Sequence, residues 1–310
     1  MQPAFSVIFL TTLIGAGQGL FLMLYGTELA HVELAPGFYL IGSAIVLLLC
    51  GLGLLASFFH LGHPERAWRA ATMWRTSWLS REVIALPAFM ASVFAYAIAH
   101  WTGAESTPLI GAIAALLALV LFVCTGMIYA AIKVLKEWAS PLTIVNFMLL
   151  GCASGATLAS AYAVFAAPML TAAYAQAAIA LTLLALLGRA ASLLRNARLK
   201  PVTTLQSAIG IRHPRIVQKA QGAMGGSFNT RDFFHGKSAA FMRTIKPAFL
   251  ILAFFIPLLL LAPLALFTMG STPALLLAAF ALQYLGLLAE RWFFFAEANH
   301  PQNLYYQGIS

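Results

Sequence analysis

Charged side chains are scarce in this chain. Asp, Glu, Lys and Arg make up 9% of its 310 residues, whereas soluble domains carry about 25%. Hydrophobic residues make up 62%, and the mean hydropathy is +0.89. So little charge excludes an ordinary soluble domain and predicts an integral membrane protein.

The sequence also lacks the ligand patterns of common metal and redox centres. Its three cysteines, Cys50, Cys124 and Cys152, are isolated in apolar runs without CxxC spacing, which excludes an iron–sulfur cluster or structural zinc in this chain. A b-type haem usually needs two axial histidines at similar depth, and no second deep His faces His60. We therefore expect no haem and no other metal here.

Long apolar runs account for most of the chain. About 20 helical residues cross a roughly 30 Å hydrocarbon core, and a helix satisfies its own backbone hydrogen bonds. We expect the first run to stay in the protein, because no Lys or Arg precedes it and no cleavage site follows it. The sequence predicts an all-α integral membrane fold, an eight-transmembrane-helix bundle in one polytopic domain over residues 1–310. The predicted spans are about 5–26, 38–59, 83–101, 109–131, 142–166, 169–189, 247–268 and 273–294.

The 18 Lys and Arg residues are distributed unevenly. With eight spans, alternate loops lie on opposite sides, and all of these residues fall on one side. By the positive-inside rule this side, with both termini, faces the cytoplasm of a bacterial inner membrane. The net charge of +9 therefore indicates contact with membrane lipid rather than nucleic acid. The basic positions are 66–81, Lys133, Lys136, 189–246 and Arg291.

The loops on the opposite side carry only acidic charges, at Glu28, Glu33 and Glu105. Glu28, His31 and Glu33 lie close together in sequence, which could suggest a metal site. Three ligand types in a short loop are common by chance, so we interpret them as a solvated acidic loop.

The junction between the second and third spans, residues 60–82, concentrates His, Arg, Glu and Trp. Ionisable groups at membrane depth are functional hypotheses by default. Two ordinary explanations stay open. Glu82, in a first helical turn capped by Ser80, would complement the helix dipole, and the Trp residues would form an interfacial belt.

The first span contains Gly15-Ala16-Gly17-Gln18-Gly19. Such small residues predict close approach of a neighbouring helix. We interpret Gln18 as the donor or acceptor of an interhelical hydrogen bond, with the lining of a ligand pocket as the alternative.

Two segments on the basic side are predicted to dock partner proteins, the loop 190–246 and the tail 291–310. A loop of this length is usually functional or disordered, and its glycine and aromatic content argues against plain disorder. Its basic character suits an acidic protein surface. The candidate docking residues are Arg212, Arg215, Phe228, Arg231, Phe233, Phe234, His235, Tyr305 and Tyr306.

The run His60-Leu61-Gly62-His63-Pro64, with Arg66-Ala67-Trp68 and the stretch from Trp74 to Glu82, resembles the dimethyl sulfoxide reductase membrane-anchor family. The likeness extends over the whole chain in length and span number. It implies an eight-helix subunit, without iron–sulfur cluster or molybdenum of its own, that exchanges electrons with membrane quinone, either ubiquinone or menaquinone. The implied partners are a ferredoxin-like iron–sulfur subunit and a molybdopterin catalytic subunit, so substrate chemistry would need no catalytic residue in this chain.

On this resemblance His60 corresponds to the family's histidine and Glu82 to its acidic partner at the quinone site. Interfacial anchoring stays open for the Arg and Trp residues. The other candidates for quinone binding or proton transfer are Gln18, Arg66, Trp74, Trp78, Ser80 and Arg81.

The loop between spans 6 and 7 and the tail from His300 to Tyr306 are similar to the sulfite dehydrogenase anchors of this family. Because the basic face is predicted to be cytoplasmic, we expect the anchor of a cytoplasm-facing sulfite:quinone oxidoreductase. One alternative is the anchor of a dimethyl sulfoxide or related reductase that oxidises menaquinol, and another is a purely structural anchor. A secondary transporter is a further alternative, although polar groups near the midplane are few.

Overall fold

A computed structural model describes residues 4–59, 61–200, 204–216, 238–267 and 272–298, and all regular secondary structure in these ranges is helical. Within them, eight helices are long and apolar enough to cross a membrane. The predicted all-α fold class and the predicted number of spans are therefore confirmed.

The helices follow one another with short connections at most junctions. The seventh span, Arg243–Ala265, comprises most of α8, a π-helical turn at Ile251–Phe255 and most of α9. Two 3₁₀ helices, Pro64–Met73 and Pro168–Leu170, precede α3 and α6. The α-helices are α1 (Phe5–Leu29), α2 (Pro36–Phe58), α3 (Trp78–Thr102), α4 (Thr107–Ala130), α5 (Pro141–Ala166), α6 (Thr171–Ala197), α7 (Leu205–Ile209), α8 (Ala239–Leu250), α9 (Ile256–Phe267) and α10 (Pro273–Glu297).

Helix α3 begins earlier than the sequence predicted. Its N-cap is Ser77, whose side chain accepts a hydrogen bond of 3.3 Å from the backbone N–H of Ser80. The predicted cap at Ser80 is wrong, because Ser77 is the residue with extended backbone angles. Glu82 consequently lies in the second turn, where its carboxylate cannot cap the helix, and the dipole explanation for it does not hold.

Helices α1 and α5 lie at the centre of the bundle and touch through glycine. A Cβ atom added at Gly155 would lie 2.2 Å from the carbonyl carbon of Gly19, and one at Gly19 would lie 2.3 Å from the oxygen of Gly151. Gly15 and Gly19 on α1 therefore face Gly151 and Gly155 on α5, each pair four residues apart. The predicted close approach at the first span is confirmed, with a matching glycine pair on its partner.

Two basic residues that were assigned to the loops lie inside helices. Arg189 belongs to α6 and is 2% exposed, and Arg291 belongs to α10 and is 4% exposed. Both helices extend past the predicted ends, and the two guanidinium groups are buried because they pair with Glu290 inside the bundle. The predicted loop therefore begins after Ala197, and residues 291–297 continue the eighth helix.

The glycine contact predicts a difference between two Gly→Ala variants. Gly155→Ala should lower the free energy of unfolding by about 1–3 kcal/mol, because its methyl group meets the backbone of α1. Gly51→Ala, on α2, meets nothing within 4 Å, and should be neutral or slightly stabilising because alanine favours a helix interior. Thermal denaturation of the two variants in the same detergent measures the difference, and equal stability would refute the proposed role of the glycines.

Candidate functional site

The connection that enters α3 is held in place by Arg81. Its Nε donates a hydrogen bond of 2.9 Å to the carbonyl oxygen of Trp74, and its Nη2 donates one of 2.8 Å to that of Arg75. The guanidinium carbon also lies 4.1 Å from the ring centre of Trp78. The Arg81 side chain thus links the connection before α3 to the start of that helix and orients Trp74 and Trp78.

A cleft of about 510 Å³ opens beside this turn, between α3 and α4. Several of its lining residues, including Ile84 and Val120, are exposed on the apolar outer surface of the bundle, so the cleft opens towards lipid. Its walls are aliphatic and aromatic, with Arg81 as the charged group. The lining residues are Trp74, Trp78, Arg81, Ile84, Ala85, Ala88, Leu117, Leu119, Val120, Val123 and Cys124.

Glu82 points to the other side of α3, into the bundle. Its Oε1 accepts a hydrogen bond from the hydroxyl group of Thr125 on α4. The two side chains line an interior cavity of about 10 Å³, near the minimum volume for one water molecule. The residues around this cavity are Leu10, Thr11, Ile14, Gly15, Gln18, Glu82, Phe122, Thr125 and Phe147.

Gln18 forms a hydrogen bond between helices. Its Nε2 donates a hydrogen bond of 2.7 Å to the carbonyl oxygen of Ala118 on α4, which confirms the predicted interhelical bond. Gln18 also lines the interior cavity with Glu82. It is 2% exposed, so its polar groups face only the protein interior.

The structure divides the predicted quinone-site residues into separate groups. Trp74, Trp78 and Arg81 line the lipid-facing cleft, and Gln18 and Glu82 line the interior cavity. Ser80 is buried in the first turn of α3 and lines neither space. Arg66 is exposed and lies 3.7 Å from Glu65, away from both cavities, and His60 lies outside the described residues.

Most of the predicted docking residues also fall outside the described ranges. Arg212 and Arg215 are described, and both are exposed in the segment after α7. Phe228, Arg231, Phe233, Phe234, His235, Tyr305 and Tyr306 lie outside the described residues.

A buried ionic network, not predicted from the sequence, lies near the end of the bundle at which α3 begins. Arg189 Nε is 2.8 Å from Glu290 Oε1, and Arg189 Nη2 is 3.8 Å from Glu297 Oε2. Arg291 Nη1 is 3.6 Å from Glu290 Oε2, and its guanidinium carbon lies 3.6 Å from the ring centre of Phe147. The adjacent Glu290-Arg291 pair inside an apolar run was the available sequence signal.

A second ionisable cluster lies at the opposite end of α3. Glu28 belongs to α1; its Oε2 accepts a hydrogen bond of 2.7 Å from Tyr96, and its Oε1 lies 3.6 Å from His100 Nε2. The His100 ring stacks on Tyr39 at 4.0 Å. The acidic-loop interpretation is wrong for Glu28, because partners on α3 bury it, whereas His31 and Glu33 are exposed.

Among the described residues, no group of three or more His, Cys, Asp and Glu side chains is arranged to hold a metal ion. Gln18 and Thr125 each donate a hydrogen bond within this site, to the carbonyl oxygen of Ala118 and to the carboxylate of Glu82. Thr11 and Thr125 belong to this site and were not singled out in the sequence, because a lone threonine in an apolar helix carries no distinctive pattern.

Comparison with known proteins agrees with this architecture. A family model described as DMSO reductase anchor subunit (DmsC) matches residues 1–297. The chain is 54% identical, over 328 aligned positions that cover all of both chains, to a protein of Allochromatium vinosum named as the C subunit of sulfite dehydrogenase. No solved structure matches. Its eight spans and this match over nearly its whole length show that the chain belongs to the DMSO reductase anchor subunit family, the membrane anchors of oxidoreductase complexes.

Proposed function

We propose that this subunit passes electrons to membrane quinone on behalf of a sulfite-oxidising complex, and that the cleft between α3 and α4 binds the quinone. The observation that carries the proposal is the position of Glu82. A carboxyl group at membrane depth lies one residue from Arg81, which lines an apolar, lipid-facing cleft of about 510 Å³. The sulfite assignment is supported by the 54% identity to the sulfite dehydrogenase protein of Allochromatium vinosum.

The cleft has the chemistry that a quinone requires. Ligand pockets of about 300–1,000 Å³ with mostly apolar walls and a few polar groups are typical for small molecules. Trp74 and Trp78 offer aromatic faces, and the aliphatic residues of α3 and α4 suit a polyprenyl tail. Arg81 uses two of its N–H groups on backbone carbonyls, so further N–H groups remain to donate to a quinone carbonyl oxygen.

A bound quinone takes up two electrons and two protons to become a quinol. The electrons would come from the iron–sulfur partner, after oxidation of sulfite and water to sulfate has released two electrons and two protons in the catalytic subunit. The present chain contributes binding and proton handling. Glu82 would hold a proton at its carboxyl group and transfer it towards the cleft. The Thr125 hydroxyl group would orient the carboxyl group, and one cavity water would return a proton to it.

The partners would dock on the basic face, the end of the bundle at which α2 ends and α3 begins. Arg212 and Arg215 are exposed after α7, and Arg66, Arg69 and Arg75 are exposed before α3. By the positive-inside rule this face is cytoplasmic. The quinone cleft lies at the same end, so electrons from a docked iron–sulfur subunit would travel a short distance to the quinone.

A second candidate is a reductase anchor that oxidises menaquinol, favoured by the description of the matching family. The same cleft and carboxyl group would serve it with electrons and protons moving in the opposite direction. The two candidates differ in the substrate of the catalytic partner and in the direction of electron flow, both of which activity measurements determine.

Replacement of the carboxyl group tests the site. Glu82→Gln should lower quinone-linked turnover by about 100-fold, because an amide cannot carry the proton. Turnover with an artificial dye, which takes electrons before the anchor, should be unchanged. Glu65→Gln, in the exposed connection before α3, is the matched control. The sequence-based assignment predicts the same loss for His60→Ala, and full quinone-linked activity in both variants would refute the site.

Photolabelling tests the position of the quinone. An azidoquinone should label peptides of α3 and α4 that line the cleft, and Arg81→Ala should raise the KM for quinone and weaken labelling. Arg69→Ala, also beside a tryptophan but outside the cleft, should change neither. Labelling confined to other helices of this chain would refute the cleft, and labelling confined to a partner subunit would favour the purely structural anchor.

Purification from native membranes tests the assignment of the complex. The proposal predicts that a mild-detergent preparation contains two larger subunits, iron and molybdenum, and reduces quinone when sulfite is added. Oxidation of quinol by dimethyl sulfoxide in its place would establish the reductase alternative. Recovery of this chain alone, free of metal, would contradict both.

A further inference from the structure

Several buried side-chain oxygen atoms on α5, on the face of α10 towards α6 and in the ionic network make no hydrogen bond among the described residues. In the described part of the chain, one side-chain oxygen of each of Glu137, Asn146, Gln283, Glu290 and Glu297 is buried and unsatisfied. Buried polar atoms in proteins are normally hydrogen-bonded, to protein or to ordered water. Glu290 Oε2 and Glu297 Oε2 lie 3.6 Å and 3.8 Å from guanidinium nitrogens of Arg291 and Arg189, distances that an ordered water molecule can bridge.

The same region contains three carboxyl groups close together. Glu290 and Glu297 pair with the guanidinium groups of Arg189 and Arg291, and Glu137 lies near Glu297. A buried unpaired charge is costly, and a carboxyl group avoids that cost by binding a proton. At the solvent end, Glu297 also interacts with Asn196 and with the exposed Lys246. The network is thus suited to hold one proton more or one fewer.

The network approaches the Glu82 cavity through two aromatic side chains. Phe147 lines the cavity on one side and carries the Arg291 guanidinium on the other, 3.6 Å from its ring centre. Tyr129 stacks on Phe147, and its ring also contacts Phe295 of α10. Its phenol is thus the titratable group beside the side chain that separates the two carboxyl-containing regions.

The opposite direction is closed by a dry layer. Between Gln18 and the outer cluster at Glu28, Leu20, Phe21 and Leu24 of α1 pack with Phe89 and Val93 of α3, and all five are 0% exposed. These side chains offer no groups that could conduct a proton. Proton exchange by Glu82 is therefore favoured towards the end of the bundle where the ionic network lies.

We propose that Glu290 and Glu297, with Glu137 and the water molecules around them, form the route by which protons pass between Glu82 and the basic face. The proposal rests on the function proposed above for Glu82. Glu297, whose side chain is 19% exposed, is the entry group, and Glu290, 1% exposed, is the interior relay. Each step moves one proton from a carboxylic acid, phenol or water to the neighbouring acceptor, with no change in electron count. Arg189 and Arg291 hold the carboxyl groups in position.

A purely structural role makes a different prediction. The Arg189–Glu290 pair links α6 to α10, and a network that only links helices would affect assembly and stability without affecting proton transfer. Isosteric Glu→Gln variants separate the two roles, because the amide retains hydrogen bonding but cannot transfer a proton. Glu33→Gln, an exposed residue at the opposite end of the bundle, serves as the control.

The experiment compares Glu290→Gln and Glu297→Gln in the purified complex. We expect quinone-linked turnover to fall about 10-fold, with a larger solvent isotope effect, unchanged dye-linked turnover and unchanged azidoquinone labelling. Acetate, a small weak acid, should partly restore Glu297→Gln. Infrared difference spectra on quinone reduction should lose a carboxylic acid carbonyl band in either variant.

Two results would overturn the proposal. Either both variants keep full quinone-linked turnover and the infrared band, or turnover falls together with assembly and labelling, without an isotope effect or acetate rescue. The Glu82→Gln variant separates this failure from that of the proposed function. If Glu82→Gln keeps full quinone-linked turnover, the quinone site itself is refuted. If Glu82→Gln is inactive while Glu290→Gln and Glu297→Gln keep full turnover, only the proton route is refuted.

Discussion

The backbone contact between α1 and α5 positions the polar interior of this protein. Gly19 and Gly155 lie so close that neither position has room for a side chain. The hydrophobic effect does not drive helices together within lipid, so close van der Waals packing is a main source of helix association there. With α5 against one side of α1, Gln18 of α1 reaches α4. Gln18 there binds the carbonyl of Ala118 and borders the cavity that contains Glu82.

Ionisable groups inside the bundle follow two different designs. The Arg189, Glu290, Arg291 and Glu297 side chains pair with one another, which offsets much of the cost of their desolvation. Glu82 has a hydroxyl partner, Thr125, rather than a cation among its hydrogen-bonding contacts. An isolated carboxyl group in such surroundings is costly to keep for packing alone. The proton exchange with quinone that we propose for Glu82 would account for its presence.

Hydropathy was sufficient to predict the eight spans, because a run of about 20 apolar residues has few alternatives in a membrane. Several predictions made from the local sequence were wrong because of tertiary contacts. Glu28 looked solvated, but Tyr96 and His100 bury it. Arg189 and Arg291 were counted with the basic loops, since a linear sequence does not show that Glu290 will pair with both within the bundle. Ser80 looked like a helix cap, although Ser77, three residues before it, offered the same chemistry.

The sequence by itself determined the membrane class, the number of spans and the segment that carries the candidate site, because composition and run length act locally along the chain. Only the tertiary structure decided that Arg81 and Glu82, adjacent in sequence, serve different spaces, the lipid-facing cleft and the interior cavity. Successive residues of a helix point about 100° apart. What each of them meets depends on the neighbouring helix, and that neighbour is chosen by packing between distant parts of the chain.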